Sequence, residues 1–306
     1  MTSIALDGVA MGLDSARVFP VSPIPAVNVA SVPQRSPLRY PGGKTWLIPH
    51  IRAWLSETES RPKLLVEPFC GGGIVSLTAV MEGLVERSLM AELDHEVAAF
   101  WHAALLHGPS LRARVIAFEV SREAVNDIAL ELPDNVIERG FRTLVLNRTR
   151  RGGILAPGAS LSRSGENGRG VASRWYPETL VARLREISAW ADRITFCETD
   201  GVNLLEALAS MEDAAVFVDP PYTAGGKRAG KRLYSNHEVN HSRLFEVLAE
   251  SKSNFLMTYD CAPEIVELVK RHSFSAVEVT MKNTHHARLP ELVITRKPAF
   301  HHAELL

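Results

Sequence analysis

The chain has 306 residues, 46% of them hydrophobic, and 34 basic against 35 acidic side chains leave a formal net charge of -1. That is ample apolar material for one large domain or two modest ones, which excludes a disordered chain. No apolar run nears the roughly 20 residues of a membrane helix, and no basic patch followed by an apolar block marks a secretory signal, so a cytoplasmic protein is expected.

Residues 1–36 carry Pro20, Pro23, Pro25 and Pro33 among small residues, a spacing that breaks helical and strand periodicity alike. An extended arm is expected there. From residue 63 the pattern changes: LLVEPF is a short apolar run, GGG follows, and IVSLTAVMEGL has helical periodicity, which predicts strand, glycine loop and helix. SLMAEL predicts a strand with acids at its end, and HEVAAFWHAALLHG a helix stopped by Gly108 and Pro109. Strands alternating with helices predict a doubly wound α/β domain, a parallel sheet with helices on both faces.

The alternation is lost over residues 107–192. There VIERGFRTLVLNRT and PETLVARLREISAWA read as helices around a glycine-, serine- and arginine-rich loop at 152–170, which predicts an inserted, mostly helical module. It resumes with RITFCETD, a helix over 202–210 and the strand AAVFV before DPPY. A helix over 237–251, the strand NFLMTYD, a helix over 263–271 and strands at SAVEVTMK and PELVITR complete the chain. The expected division is an arm at 1–36, a catalytic domain from 37–106 and 193–306, and a recognition insert at 107–192.

The small net charge hides an uneven distribution. Residues 139–185 hold ten arginines against Glu166 and Glu178, a balance of about +8. A second basic knot comprises Lys227, Arg228, Lys231 and Arg232. Two solvated surfaces would explain both. Arginine's planar fork also matches phosphate, which favours a nucleic-acid face.

Two motifs carry chemistry. The loop Phe69-Cys70-Gly71-Gly72-Gly73 joins strand to helix and lets a ligand approach the backbone at a helix N-terminus; a plain turn would look the same. About 20 residues on, Glu92 and Asp94 stand where a carboxylate can accept ribose hydroxyls, and together these features point to a nucleoside. Asp219-Pro220-Pro221-Tyr222 follows a strand, at the sheet edge where open α/β folds bind ligands. By average residue usage this tetrapeptide arises by chance in about one such chain per thousand, so it is read as a site. An exocyclic base amine is a poor nucleophile because its lone pair is spread into the ring. Asp219 and the Pro220 carbonyl could draw on its protons, Pro221 stiffens the turn, and Tyr222 offers a flat face to an extruded base.

From residue 37 onwards the sequence resembles the Dam-like class of adenine-N(6) DNA methyltransferases. PLRYPGGK looks like that family's N-terminal cofactor motif, VEPFCGGG its glycine loop, MAELDHE its acidic motif, CETD an adenine-contacting motif and DPPY its catalytic motif. LNRTRRGGI resembles part of the DNA-recognition insert, and PELVITRKP the closing strand. The resemblance implies a Rossmann-like methyltransferase sheet and S-adenosylmethionine as cofactor. Tyr40, Gly42 and Lys44 would contact that cofactor, Phe69, Gly71 and Gly73 would form its loop, Glu92 would hold its ribose and Asp200 its adenine amine. Asp219 would bridge methyl and target amine. Double-stranded DNA would meet Asn147, Arg148, Arg150, Arg151, Arg174, Lys227 and Arg228, although Asn147 and Arg148 could instead brace the insert. Two positions depart from the pattern, Tyr40 for the usual tryptophan and Glu92 for the usual aspartate, and the loop at 156–170 differs too.

The resemblance leaves room for a cognate restriction endonuclease as a second partner. The rival readings are an RNA adenine or cytosine-N(4) methyltransferase on the same fold, and a non-catalytic nucleic-acid-binding relative. Tyr234 and His241 could sit on a loop closing over the base. Cys70, Cys197 and Cys261 lie too far apart for a disulfide framework or a zinc site, and Asn283, His285 and His286 lack supporting ligands, so no metal is expected.

Overall fold

A computed structural model of the chain describes residues 18–25, 29–40, 42–57, 61–156, 158–162, 168–222, 239–282 and 288–300. Seven strands form one sheet: β1 (Leu64–Glu67), β2 (Arg87–Glu92), β3 (Ile194–Glu198), β4 (Ala214–Val218), β5 (Asn254–Asp260), β6 (Ser275–Lys282) and β7 (Arg288–Thr295). Their order is β3-β2-β1-β4-β5-β7-β6. The pairings among β1 to β5 are parallel, whereas β7 runs antiparallel to both β5 and β6. The expectation of a parallel sheet fails at this edge because residues 283–287 are too few for a crossover, which needs a dozen or more.

The helices are α1 (Ile48–Ser56), α2 (Ile74–Met81), α3 (His95–Leu106), α4 (Gly108–Ala117), α5 (Arg122–Leu130), α6 (Val136–Thr149), α7 (Pro177–Ala189), α8 (Gly201–Ala207), α9 (His241–Glu250) and α10 (Pro263–Arg271). Alternate residues of each central strand feed two separate cores. Leu65, Ala215, Phe217, Leu256 and Val293 pack with residues of α1, α2, α3, α6 and α7. Their neighbours Val66, Val216, Val218, Met257 and Ile294 pack with α8, α9 and α10. A side-chain period of two on strands buried from both sides thus makes three layers, a doubly wound α/β fold.

The helical stretch between β2 and β3 does not stand apart. Leu111 of α4, Val125 of α5, Leu144 of α6 and Leu184 of α7 join the same core as Phe100 and Trp101 of α3. Arg142 of α6 pairs with Glu96 of α3 at 2.7 Å. Residues 20–22 of the N-terminal arm are docked too: Ser22 N donates to Glu278 O, and Glu278 N donates to Pro20 O, so this stretch covers the β6 edge at Glu278, which would otherwise expose unpaired backbone. Among the described residues no helix is long and apolar enough to cross a membrane.

Candidate active site

Strand order reverses between β1 and β4, and the carboxyl ends of this pair open the crevice where such folds bind ligands. β1 leads into the glycine loop and β4 into Asp219. One cavity of about 270 Å³ lies there, lined by residues of both turns, by Tyr40 and Lys44, and by Glu92 and Asp200. That is close to the size class of small-ligand pockets.

The glycine loop is shaped by its neighbours. Gly71 and Gly73 have φ of 44° and 62°, a left-handed conformation that suits glycine. A Cβ on Gly71 would lie 2.5 Å from the Tyr40 ring, and one on Gly73 2.6 Å from Trp101. Trp101 Nε1 donates to Gly71 O at 2.9 Å. Glu92 holds the loop from the next strand: Oε2 accepts from Gly71 N at 3.0 Å, and Oε1 from the backbone of Leu93 and Asp94. Burial raises the Glu92 pKa to about 7, with the Asp94 charge adding to it. Asp94 and Asp200 line the same cavity while capping α3 and α8, each accepting from two backbone amides.

Opposite the loop stands a buried polar cluster. Asp219 Oδ1 accepts from Lys44 Nζ at 2.8 Å, from Tyr222 Oη at 2.9 Å and from Thr258 Oγ1 at 2.8 Å. Lys44, 4% exposed, also reaches Glu291 Oε1 at 3.2 Å and Gly42 O at 2.8 Å. Tyr222 Oη also meets Glu291, so its one proton is shared between the two carboxylates. Burial raises the Glu291 carboxyl above its usual range, with Asp219 adding repulsion and Lys44 opposing it. All three donors meet the same Asp219 oxygen. No donor among the described residues meets Oδ2, and the side chain lines the cavity at 21% exposure.

The structure brings most of the expected cofactor residues together and redistributes several others. Tyr40, Lys44, Phe69, Gly71, Gly73, Glu92, Asp200 and Asp219 all line the cavity; Gly42 does not, and Gly43 takes its place. Pro221 lines it, whereas Pro220 is buried behind. Tyr222 does not line it: its ring stacks on Tyr259 with centroids 5.5 Å apart, and Lys44 Nζ lies 5.1 Å from the centroid. Asn147 is corrected from a phosphate contact to a brace. It is fully buried, its Oδ1 accepting from Arg39 N and its Nδ2 donating to the carbonyls of Arg39 and Gly153.

Much of the arginine stripe is likewise spent inside the fold. Arg148 donates to Arg174 O and Pro37 O, and Arg150 to Leu155 O. Arg151 is exposed and Arg174 partly so. Lys227, Arg228 and Tyr234 lie outside the described residues, as do Asn283, His285 and His286. His241 opens α9, where its Nδ1 meets Tyr259 Oη at 2.7 Å. Among the described residues no cluster of metal-binding side chains occurs.

Three participants went unmarked in the sequence reading. Glu67 ends β1 and lines the cavity, its Oε2 accepting from Ser76 N at 2.9 Å; burial raises its pKa to about 8. Thr258 and Glu291 belong to the Asp219 cluster. The available signal was a lone polar or charged residue inside an apolar strand, since such a side chain is rarely buried without a partner.

A family model described as D12 class N6 adenine-specific DNA methyltransferase matches residues 40–109. The matched stretch holds Tyr40, Lys44, the glycine loop and Glu92, so the resemblance in the motifs is met over that part of the chain, and the match supports methyltransferase activity. No curated protein matches the sequence. An rRNA methyltransferase, aviRa, from Streptomyces viridochromogenes overlaps with a TM-score of 0.39 at 16% identity, over 89% of this chain and 86% of that one. A precorrin-6y C5,15-methyltransferase from Geobacter metallireducens overlaps with a TM-score of 0.33 at 12% identity, over 82% and 88%. Overlaps this loose carry no argument about substrate.

Proposed function

We propose that the protein transfers a methyl group from S-adenosylmethionine to the exocyclic amine of an adenine extruded from double-stranded DNA. The observation that carries this reading is the Asp219 carboxylate, with Oδ1 held by three donors and its side chain lining the cavity at the reversal point of the sheet. The family match over residues 40–109 supports adenine in DNA as the substrate class.

The residues present suit the cofactor. Gly71, Gly72 and Gly73 have no side chains to crowd a ligand, and Glu92 at the end of β2 would hold a ribose hydroxyl on Oε2, which accepts one backbone bond and keeps further acceptor capacity, whereas Oε1 already accepts two. Phe69 and Asp200 would meet the adenine end. When bound, the cofactor supplies an electrophilic methyl on sulfonium, so no covalent enzyme intermediate is required.

The chain's own contribution is orientation. Three donors on Oδ1 fix the Asp219 rotamer, so Oδ2 can accept from the target amine and return electron density to nitrogen. The Pro220 carbonyl would serve as second acceptor. Extruding the base costs a few kcal/mol, which basic side chains of the insert such as Arg151 and Arg174 would offset through phosphate contacts.

The test is incubation with DNA and labelled cofactor, followed by mapping of the label. Wild type should label adenine N6, and Asp219→Ala should lose about 100-fold or more of that rate. Equal labelling by both proteins would overturn the mechanism, and label on RNA or cytosine alone would overturn the substrate.

A further inference from the structure

The cavity wall carries both signs of charge. Glu67, Glu92, Asp94, Asp200 and Asp219 supply acceptors, whereas Arg39, Arg148 and Arg183 line another stretch of the wall with Ser36. The arginine side borders the glycine loop, since a Cβ on Gly72 would lie 3.4 Å from Ser36 Oγ, and Arg183 Nη1 donates to Ser36 O at 2.9 Å.

Arg148 is 7% exposed. Its hydrogen-bond partners are carbonyls only, Arg174 O at 2.9 Å and Pro37 O at 3.5 Å. Neither Arg148 nor Arg183 has a carboxylate within ion-pair distance among the described residues. Burial lowers the Arg148 pKa to about 10, with the charges of Arg183, Arg39 and Arg174 pushing the same way and Tyr176 opposing them. Arg183 is lowered by burial also, with exposed Glu186 opposing. A buried guanidinium and a half-buried one beside a cavity are stabilised when an oxyanion enters their forks.

We infer that Arg148 and Arg183 form an oxyanion site in this cavity, and that it takes the carboxylate of the amino-acid portion of the methyl donor. The inference rests on the donor reading above and deepens it. Lys44, expected to contact the cofactor, is committed to Asp219, Glu291 and Gly42, so the charge complement for that carboxylate falls to the arginines. A backbone phosphate of the nucleic acid offers the same oxyanion chemistry, and the measurement separates the two sources.

The experiment compares the affinities of S-adenosylhomocysteine, which bears the carboxylate, and 5′-methylthioadenosine, which lacks it, by calorimetry. Duplex DNA binding is followed across a salt series without nucleoside. In Arg183→Gln, S-adenosylhomocysteine should weaken about 10- to 100-fold while 5′-methylthioadenosine and DNA hold their values; Arg183→Lys should recover part of the loss. Unchanged S-adenosylhomocysteine with a DNA salt slope reduced by about one would overturn the carboxylate and assign the site to phosphate. The site itself is refuted if all three affinities stay unchanged, or if both nucleosides weaken alike. Wild-type protein that binds neither nucleoside would instead defeat the donor reading, a separate outcome.

Discussion

Lys44 Nζ lies 2.8 Å from Asp219 Oδ1 and 3.2 Å from Glu291 Oε1, and 4% of its side chain is exposed. One buried cation therefore serves two carboxylates that meet only because β4 and β7 both flank β5. Lys44→Met keeps the length and removes the charge, leaving the acids facing each other. A destabilisation of roughly 3–5 kcal/mol is expected in urea unfolding. A variant within about 0.5 kcal/mol of the parent would show that the ion pairs contribute little.

Thr258 bonds Asp219 directly, whereas Glu291 reaches it through Lys44 and Tyr222. Thr258→Val preserves shape and deletes one of three bonds to Oδ1, so the carboxylate gains rotational freedom while cofactor contacts stay as they were. The turnover rate should fall about 10-fold, the size of one lost charge-assisted hydrogen bond, with KM for the cofactor unchanged. A rise in KM at constant turnover would contradict this placement.

Two carboxyls of the cavity wall, with Glu291, contribute to the pH dependence of stability. Glu67 is raised to about 8 and Glu92 to about 7 from an ordinary 4.5. A carboxyl whose pKa is higher folded than unfolded keeps its proton longer in the native state. Its stabilising contribution is therefore complete below about pH 4.5 and is lost as pH rises through about 7 to 8. Chemical denaturation at a series of pH values should show stability falling across that window, and Glu67→Gln should flatten the slope. A Gln variant with the parent's slope would locate the effect elsewhere.

Asn147 ties α6 to the backbone of Arg39 and Gly153 through three hydrogen bonds. Asn147→Ala leaves those groups without their partner, and a loss of roughly 2–4 kcal/mol is expected by thermal unfolding. The salt slope of DNA binding should not move. A stable variant with a reduced slope would restore the phosphate contact.

Gly73 and Gly158 both have positive φ, 62° and 81°, but only Gly73 is enclosed. A Cβ there meets Trp101 at 2.6 Å and Met90 at 2.8 Å, whereas one on Gly158 meets nothing within 4 Å. Gly73→Ala should destabilise by roughly 3 kcal/mol and Gly158→Ala by about 1, the second figure being backbone strain alone. Equal melting temperatures for the two variants would remove the packing term.

Local pattern determined many of the elements, though not α1, α4 or α5. The short apolar runs AAVFV and NFLMTYD, and the 3.6 period in VIERGFRTLVLNRT, coincide with β4, β5 and α6 residue for residue. The glycine loop and DPPY were legible as well, because chemistry restricts which residues can stand at a strand end. Tertiary structure decided what met what. That β7 slots antiparallel between β5 and β6 follows from a connection too short to cross over, and this insertion carries Glu291 to Lys44. Burial was equally invisible: Arg148 and Arg151 stand three residues apart in one basic run, yet one is 7% exposed and the other faces solvent. Charge and spacing are properties of the chain, whereas desolvation depends on which surfaces the packed layers enclose.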